Sequence, residues 1–333
     1  MKIRGIDFSP VAQAAGVTNF FGQGYWFHPF LKLIGVRLKH TTFVSKTTNL
    51  LGRVGNMPLK KDRVTPKELF PRCIIVDHEN ELALNAVGLS GPGIEFLMDT
   101  GYWQARTDSF FISIMSLADK ADLRIAEAVE MFRIISCRRH SFRGNVGVQQ
   151  NLSCPNGGLD PASMTEEAMP LLEKAEVHLN PAIPYFMKFG PDLHPEAAKK
   201  IAAHPRCDGL VVFNTLPFGK HPVWAKRTQP VDWKRLFGTS DPKQSPMAKR
   251  FPGSAGGLSG RPLKPFLIEW VEMARSIGIQ KHIQAGGGLI RPGDINEVMN
   301  AGASSVVAVG SNMFIAPLEA PNTINHALNL NWR

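Results

Sequence analysis

An eight-stranded α/β barrel is the fold class this sequence predicts, and three observations point to it. From residue 80 onwards, short β-rich runs alternate with stretches of helical period at intervals of roughly 25 to 40 residues, the pattern of repeated βα units. The length, 333 residues, suits a single barrel of this kind. Polar groups recur where the strand candidates end, at Lys46, Asn85, Asn151, Lys188, Asn214 and the glycines from Gly286. In a barrel, functional groups gather at the carboxyl ends of the strands. A doubly wound open sheet has the same alternation, so the pattern alone leaves both architectures open.

In chain order, the strand candidates begin with VAQAAG (11–16) and TTFVSK (41–46), followed by ELALNA (81–86). SFFISIM (109–115), NVGVQQN (145–151), YFMKFG (185–190) and GLVVFN (209–214) come next, then HIQAGG (282–287) and SSVVAVG (304–310). Each is short and rich in β-branched, aromatic or alternating apolar residues. Between them, the segments 120–135, 165–179, 261–278 and 292–302 carry apolar residues every three or four positions and read as amphipathic helices. The expected arrangement is eight parallel strands with intervening helices and an extra strand or hairpin at the amino end.

With 44% hydrophobic and 20% charged residues, and a mean hydropathy of -0.09, the composition is that of a globular chain, not a disordered or fibrous one. Cys73, Cys137, Cys154 and Cys207 are far apart and form no C-x-x-C pair that would hold zinc or an iron–sulfur cluster, so a reduced, cytoplasmic setting is expected. The most apolar early stretch, FFGQGYWFHPFLKLIG (20–35), is broken by glycines, a proline, His28 and Lys32, and reads as neither a signal peptide nor a membrane span. The net charge of +10 is unevenly spread. Lys220, Lys226, Arg227, Lys234, Arg235, Lys243, Lys249 and Arg250 fall in one stretch against only Asp232 and Asp241.

Three groups of residues carry chemistry. Gly286, Gly287 and Gly288 follow a strand and precede a helix starting near Pro292, so their backbone N–H groups can hold a phosphate, and Gly310 and Ser311 repeat the arrangement after the last strand. Paired in this way they match the usual barrel phosphate site, built from the loops after strands seven and eight. Asparagine is a poor strand former, yet it recurs at Asn85, Asn151 and Asn214, with Asn156 close behind. Each amide offers both donors and an acceptor. The third group is NLSCPNGG (151–158), where a thiol lies between two amides and a proline stiffens the loop.

NLSCPNGG, with MKFG, VVFNT, GGLSGRPLKP and QAGGG followed by VAVGS, resembles the dihydroorotate dehydrogenase family in order and spacing. The likeness runs from AAGV (14–17) and VSKTT (44–48) to Gly310 and Ser311. It implies an FMN-binding (β/α)8 TIM barrel, a single domain over 1–333 with a long basic insertion at about 216–255, which oxidises dihydroorotate to orotate in pyrimidine (UMP) biosynthesis. By the same resemblance Lys188 lies beside the pyrimidine edge of the flavin, and Lys46, near flavin and substrate, is counted as catalytic alongside Cys154 as well as cofactor-binding. Ala15, Gly16, Gly257, Gly287, Gly288, Gly310 and Ser311 complete the cofactor site. Asn85, Asn151, Asn156 and Asn214 hold orotate, with Thr215 beside them. The backbone of Val87, Gly88 and Leu89 receives the substrate carboxylate, and Gly88 lets the chain curl into an anion nest. Cys154 matches the catalytic base, which takes a proton from C5 while hydride passes from C6 to flavin N5; cysteine here is the mark of the soluble members.

Two departures from the family pattern border the pocket: the loop after the cysteine motif is shortened, and about forty residues separate Thr215 from Gly256. The basic part of that long segment is expected to form a lid or partner surface. A tRNA dihydrouridine synthase shares the barrel and an Asn-x-x-Cys-Pro motif but carries a helical carboxyl-terminal domain, whereas this sequence ends about twenty residues after VAVGS. A uracil-type dehydrogenase is disfavoured by the carboxylate nest, and a non-enzymatic flavin-binding barrel would need a defect in the site. The resemblance further implies a homodimer, with no nucleic-acid or membrane partner. Fumarate, or NAD reached through an electron-transfer partner subunit, remain open as acceptors.

Overall fold

The computed structural model describes residues 1–36, 38–152 and 166–332. Eight parallel strands form one sheet: β1 (Val11–Gln13), β2 (Phe43–Val44), β3 (Phe110–Ile114), β4 (Val146–Asn151), β5 (Tyr185–Phe189), β6 (Gly209–Val212), β7 (His282–Ala285) and β8 (Ser305–Val309). From β2 onwards each strand pairs with the next in the chain, and β8 returns to β1 with Val306 opposite Val11. The ring closes at a parallel bridge between Ala12 and Thr42. There Thr42 N–H donates to the Val11 carbonyl at 2.8 Å and Gln13 N–H to the Thr42 carbonyl at 3.0 Å. An open doubly wound sheet has two free edges, so this closure decides for the barrel.

Aromatic and branched side chains fill the barrel interior towards its amino end. Val44, Phe111, Phe186 and Val211, from four different strands, cluster with Phe8. The Phe111 ring lies 4.7 Å from that of Phe8 and 4.9 Å from that of Phe186. Burying each ring contributes about 2–3 kcal/mol. Phe8 follows a two-stranded hairpin, Lys2–Ile3 with Ile6–Asp7, whose Met1, Ile3 and Ile6 pack on the same cluster. This hairpin is the amino-terminal β extension, and it plugs that end of the barrel.

Helices Ala121–Cys137, Ala168–His178, Pro195–Ala203, Lys264–Ser276, Pro292–Asn300 and Ala320–Asn329 coat the outside. Ala128, Phe132 and Ile135 from the first, and Leu171, Leu172 and Ala175 from the second, meet Ile112, Val148 and Leu210 of the strands in one core. The predicted helix over 261–278 opens with a tighter 3-10 turn at Arg261–Leu263. The apolar stretch 20–35 forms only the short helix His28–Leu33, and no helix among the described residues is long and apolar enough to cross a membrane.

One predicted strand lies outside the barrel. Leu82–Asn85 runs antiparallel between Gly257–Gly260 and Ile74–Asp77 in a separate four-stranded sheet, with Leu216–Pro217 at its other edge. The reason is its alternation. Leu82 and Leu84 enter a second core with Leu216, Phe218, Trp233, Met247 and Leu258, while Ala83 and Asn85 face a cavity. Two unlike faces suit an antiparallel sheet, whereas barrel strands are covered on both sides. The basic stretch beginning at 216 builds part of this second core, with the short helices Trp233–Phe237 and Pro246–Arg250.

Candidate functional site

Between the carboxyl ends of the strands and the antiparallel sheet lies a cavity of about 1240 Å3. Pockets for single small ligands run to about 300–1000 Å3, so this one has room for a cofactor and a substrate together.

Neighbouring strands supply a linked polar floor. Asn151 ends β4, Lys188 stands opposite it in register on β5, and Asn214 follows β6. Asn214 Nδ2 donates to Asn151 Oδ1 at 3.1 Å. Asn151 Nδ2 is 3.5 Å from Thr47 Oγ1, a long contact, and the Thr47 and Ser113 hydroxyls share a hydrogen bond of 2.8 Å. Asn85 reaches the cavity from the antiparallel sheet instead of from a barrel strand, with its Nδ2 3.4 Å from the Gly257 carbonyl.

Lys46, just after β2, is 6% exposed. Its Nζ lies 5.0 Å from the centre of the Phe20 ring and 3.8 Å from the Met57 sulfur, and its stem packs on Gly16. Burial pulls its pKa down to about 8. It therefore carries its charge at neutral pH in surroundings that solvate it poorly, which suits it to an anionic ligand.

The opposite wall is made of turns. Gly288 has φ +78°, and a Cβ there would sit 2.7 Å from the Gly260 carbonyl oxygen and 2.8 Å from Lys264 N, so only glycine fits. The N–H groups of Gly287, Gly288 and Ser311 donate to no acceptor among the described residues. They fit a phosphate of a nucleotide cofactor. Gly310 offers space instead of a donor, because its N–H is bonded to Asn312 Oδ1 at 2.9 Å. Just ahead of helix Pro292–Asn300, Ile290 and Arg291 N–H donate to Asp294 at 2.9 and 2.8 Å, so those two donors are taken. Burial alone would raise the Asp294 pKa, but bonds from Lys264 and from these N–H groups hold it below the usual carboxyl range. The donors left to meet an anion are therefore those of Gly287, Gly288 and Ser311, whereas the Gly286 N–H, which the sequence also suggested, is taken by the Val212 carbonyl.

The predicted site residues converge. Ala15, Gly16, Lys46, Asn85, Val87, Gly88 and Leu89 line the one cavity, as do Asn151, Lys188, Asn214, Thr215, Gly287, Gly288, Gly310 and Ser311. Gly257 does not line it, and lies opposite Asn85 in the antiparallel sheet. Cys154 and Asn156 lie outside the described residues. Sequence reasoning missed the outer wall, where Tyr25, Trp26, Phe27, Phe30, Leu69, Phe70 and Phe314 line the same cavity. The Tyr25 hydroxyl donates to the Gly16 carbonyl at 2.8 Å, and burial pushes its pKa well up. The aromatic density of 20–35 was the available signal, and it speaks for a cavity wall as well as against a membrane span.

A closed parallel barrel with its polar groups gathered at the strand ends, under a smaller sheet, defines an α/β-barrel enzyme. The family model described as "Dihydroorotate dehydrogenase" matches residues 17–330. The chain is 30% identical over 330 residues to the dihydroorotate dehydrogenase B (NAD(+)) catalytic subunit of Latilactobacillus sakei, covering 95% of this chain and 87% of that protein. It is 28% identical over 323 residues to the protein of the same name from a Geobacillus species, covering 95% and 85%. The crystal structure of DHODH from Eimeria tenella in complex with ferulenol superposes with a TM-score of 0.65 over 99% of this chain and 83% of that one, at 20% identity, which is a likeness of fold. This chain belongs to the dihydroorotate dehydrogenase family, oxidoreductases that act on a CH–CH bond.

Proposed function

We propose that this protein oxidises dihydroorotate to orotate with FMN as its cofactor. The observation that carries the reading is the meeting, in one cavity, of the glycine turns, the buried Lys46 and the amides of Asn85, Asn151 and Asn214. Gly287, Gly288 and Ser311 would hold the FMN phosphate, and Lys188 and Lys46 would lie by its ring. Bound FMN supplies a two-electron acceptor for the hydride leaving C6.

The chain's own residues do the rest. Asn85, Asn151 and Asn214, with Thr215, hold the ring through its alternating C=O and N–H groups. Lys46 favours an anionic ligand, and the turn at Val87, Gly88 and Leu89 receives the carboxylate. Cys154, on the strength of its motif, takes the C5 proton; an ordinary thiol pKa of about 8.5 is close enough to neutrality for that role. A separate partner subunit would carry the electrons onward, a reading supported by relatives named as catalytic subunits of NAD(+) enzymes. The free thiols of Cys73, Cys137 and Cys207 suit a reducing, cytoplasmic setting.

The direct test is the chromophore. Purified protein is expected to be yellow and to release one FMN per chain on denaturation. Release of FAD, or of no flavin, would sink the cofactor assignment.

A further inference from the structure

Resting on the dihydroorotate reading, we propose that Arg53, Asn56 and Ser90 form a clamp that pre-shapes the turn at 87–89 as a carboxylate receptor, and so act as positioning residues for substrate recognition. Three successive carbonyls of the turn are captured from one side by one short segment. Asn56 Nδ2 donates to the Ala86 carbonyl at 2.7 Å and Asn56 N–H to the Val87 carbonyl at 2.9 Å. Arg53 Nε donates to the Gly88 carbonyl at 3.0 Å. Ser90, fully buried, locks the two segments together: its hydroxyl donates to the Val87 carbonyl at 3.2 Å and accepts from Met57 N–H at 3.0 Å.

A trans peptide is planar, with its C=O and N–H pointing in opposite directions. Fixing the carbonyls of 86, 87 and 88 therefore fixes the N–H groups of 87, 88 and 89 on the far side. Those three residues line the cavity, and their N–H groups donate to no acceptor among the described residues. The curl itself needs left-handed backbone, with φ of +68° at Gly88 and +57° at Leu89. A side-chain-bearing residue such as Leu89 holds that conformation only where its surroundings impose it.

The clamp is built to close tolerance. Gly55 has φ +56°, and a Cβ there would lie 2.3 Å from Ser90 Oγ and 2.7 Å from the Gly88 carbonyl oxygen, so the two segments touch with no room for a side chain. Behind this contact, Arg53 pairs with Gly91 and Leu51 with Gly93 in an antiparallel ribbon, which anchors the clamp to the turn. Donors held in place before binding cost little ordering when the anion arrives. None of the three side chains needs to touch substrate; each acts through the peptide groups it orients.

The experiment compares the flavin-loaded parent with Asn56→Ala and Arg53→Met. Orotate is titrated against the flavin spectrum, and flavin reduction is followed at saturating dihydroorotate. The expected result is a Kd for orotate about tenfold weaker in Asn56→Ala and about threefold weaker in exposed Arg53→Met, where misfolding is not a concern. Flavin content and the saturated reduction rate should stay within about threefold of the parent, a split that general loss of structure does not give. Unchanged orotate affinity in both variants overturns the clamp, as does a fall in the saturated rate with affinity intact. A parent that binds no orotate at all overturns the substrate assignment instead, a failure distinguishable from that of the clamp.

Discussion

Replacing Lys46 with Met keeps most of the buried stem while removing its ammonium, and the consequence for stability runs against that for function. Burial lowers the lysine pKa from 10.5 to about 8. At 1.36 kcal/mol per pKa unit, keeping that charge at neutral pH costs the folded protein about 3 kcal/mol. The folded pKa is depressed, so between about pH 8 and pH 10.5 the unfolded chain binds the proton more tightly than the folded one. The penalty is complete below that window and fades across it. Urea unfolding of the cofactor-free proteins should therefore find Lys46→Met more stable than the parent by about 3 kcal/mol at about pH 7, shrinking to about 1 kcal/mol at about pH 9.5. The same variant should bind orotate at least about tenfold more weakly, because a charge–charge attraction in partly desolvated surroundings is lost. A variant less stable than the parent, or a gap that does not change with pH, refutes the view of Lys46 as a desolvated ammonium kept for an anion.

Gly288→Ala meets both a left-handed φ and contacts under 3 Å with Gly260 and Lys264, so it should cost about 1–3 kcal/mol and leave the purified protein depleted of flavin, read as the absorbance ratio of flavin to protein. Cys154→Ala should retain flavin and orotate binding but slow flavin reduction by dihydroorotate by about 10² to 10⁴ in anaerobic stopped-flow; a variant as fast as the parent would remove the thiol from the role of base. Cys154→Ser should keep a residual rate that rises with pH, since a hydroxyl is a much weaker acid than a thiol.

Much of the barrel was legible because its strands are short apolar runs covered on both sides, and covered strands announce themselves by composition. Leu82–Asn85 is equally apolar at alternate positions, but no local signal says which sheet a strand joins; the partners that decide it, 74–77 and 257–260, are a few residues away on one side and far along the chain on the other. The site residues were readable as a set since amides and glycines are poor choices for strand ends without a ligand to serve. Their individual duties were less so. Whether the N–H of Gly310 is free depends on the rotamer of Asn312, and whether that of Gly286 is free depends on its pairing with the Val212 carbonyl of the neighbouring strand. The aromatic wall around Trp26 and Phe70, where the two rings meet edge-on at 5.0 Å, brings together segments more than thirty residues apart. Such pairings are fixed by packing, which sequence period does not encode.

The most direct measurement mixes the flavin-loaded protein anaerobically with dihydroorotate and, in a parallel sample, with dihydrouracil, which lacks the carboxylate. The expected result is rapid bleaching of the oxidised-flavin band with dihydroorotate, one orotate formed per flavin, and no comparable reaction with dihydrouracil. Flavin that stays oxidised under dihydroorotate, or that bleaches equally with both compounds, would contradict the assignment of this cavity to dihydroorotate.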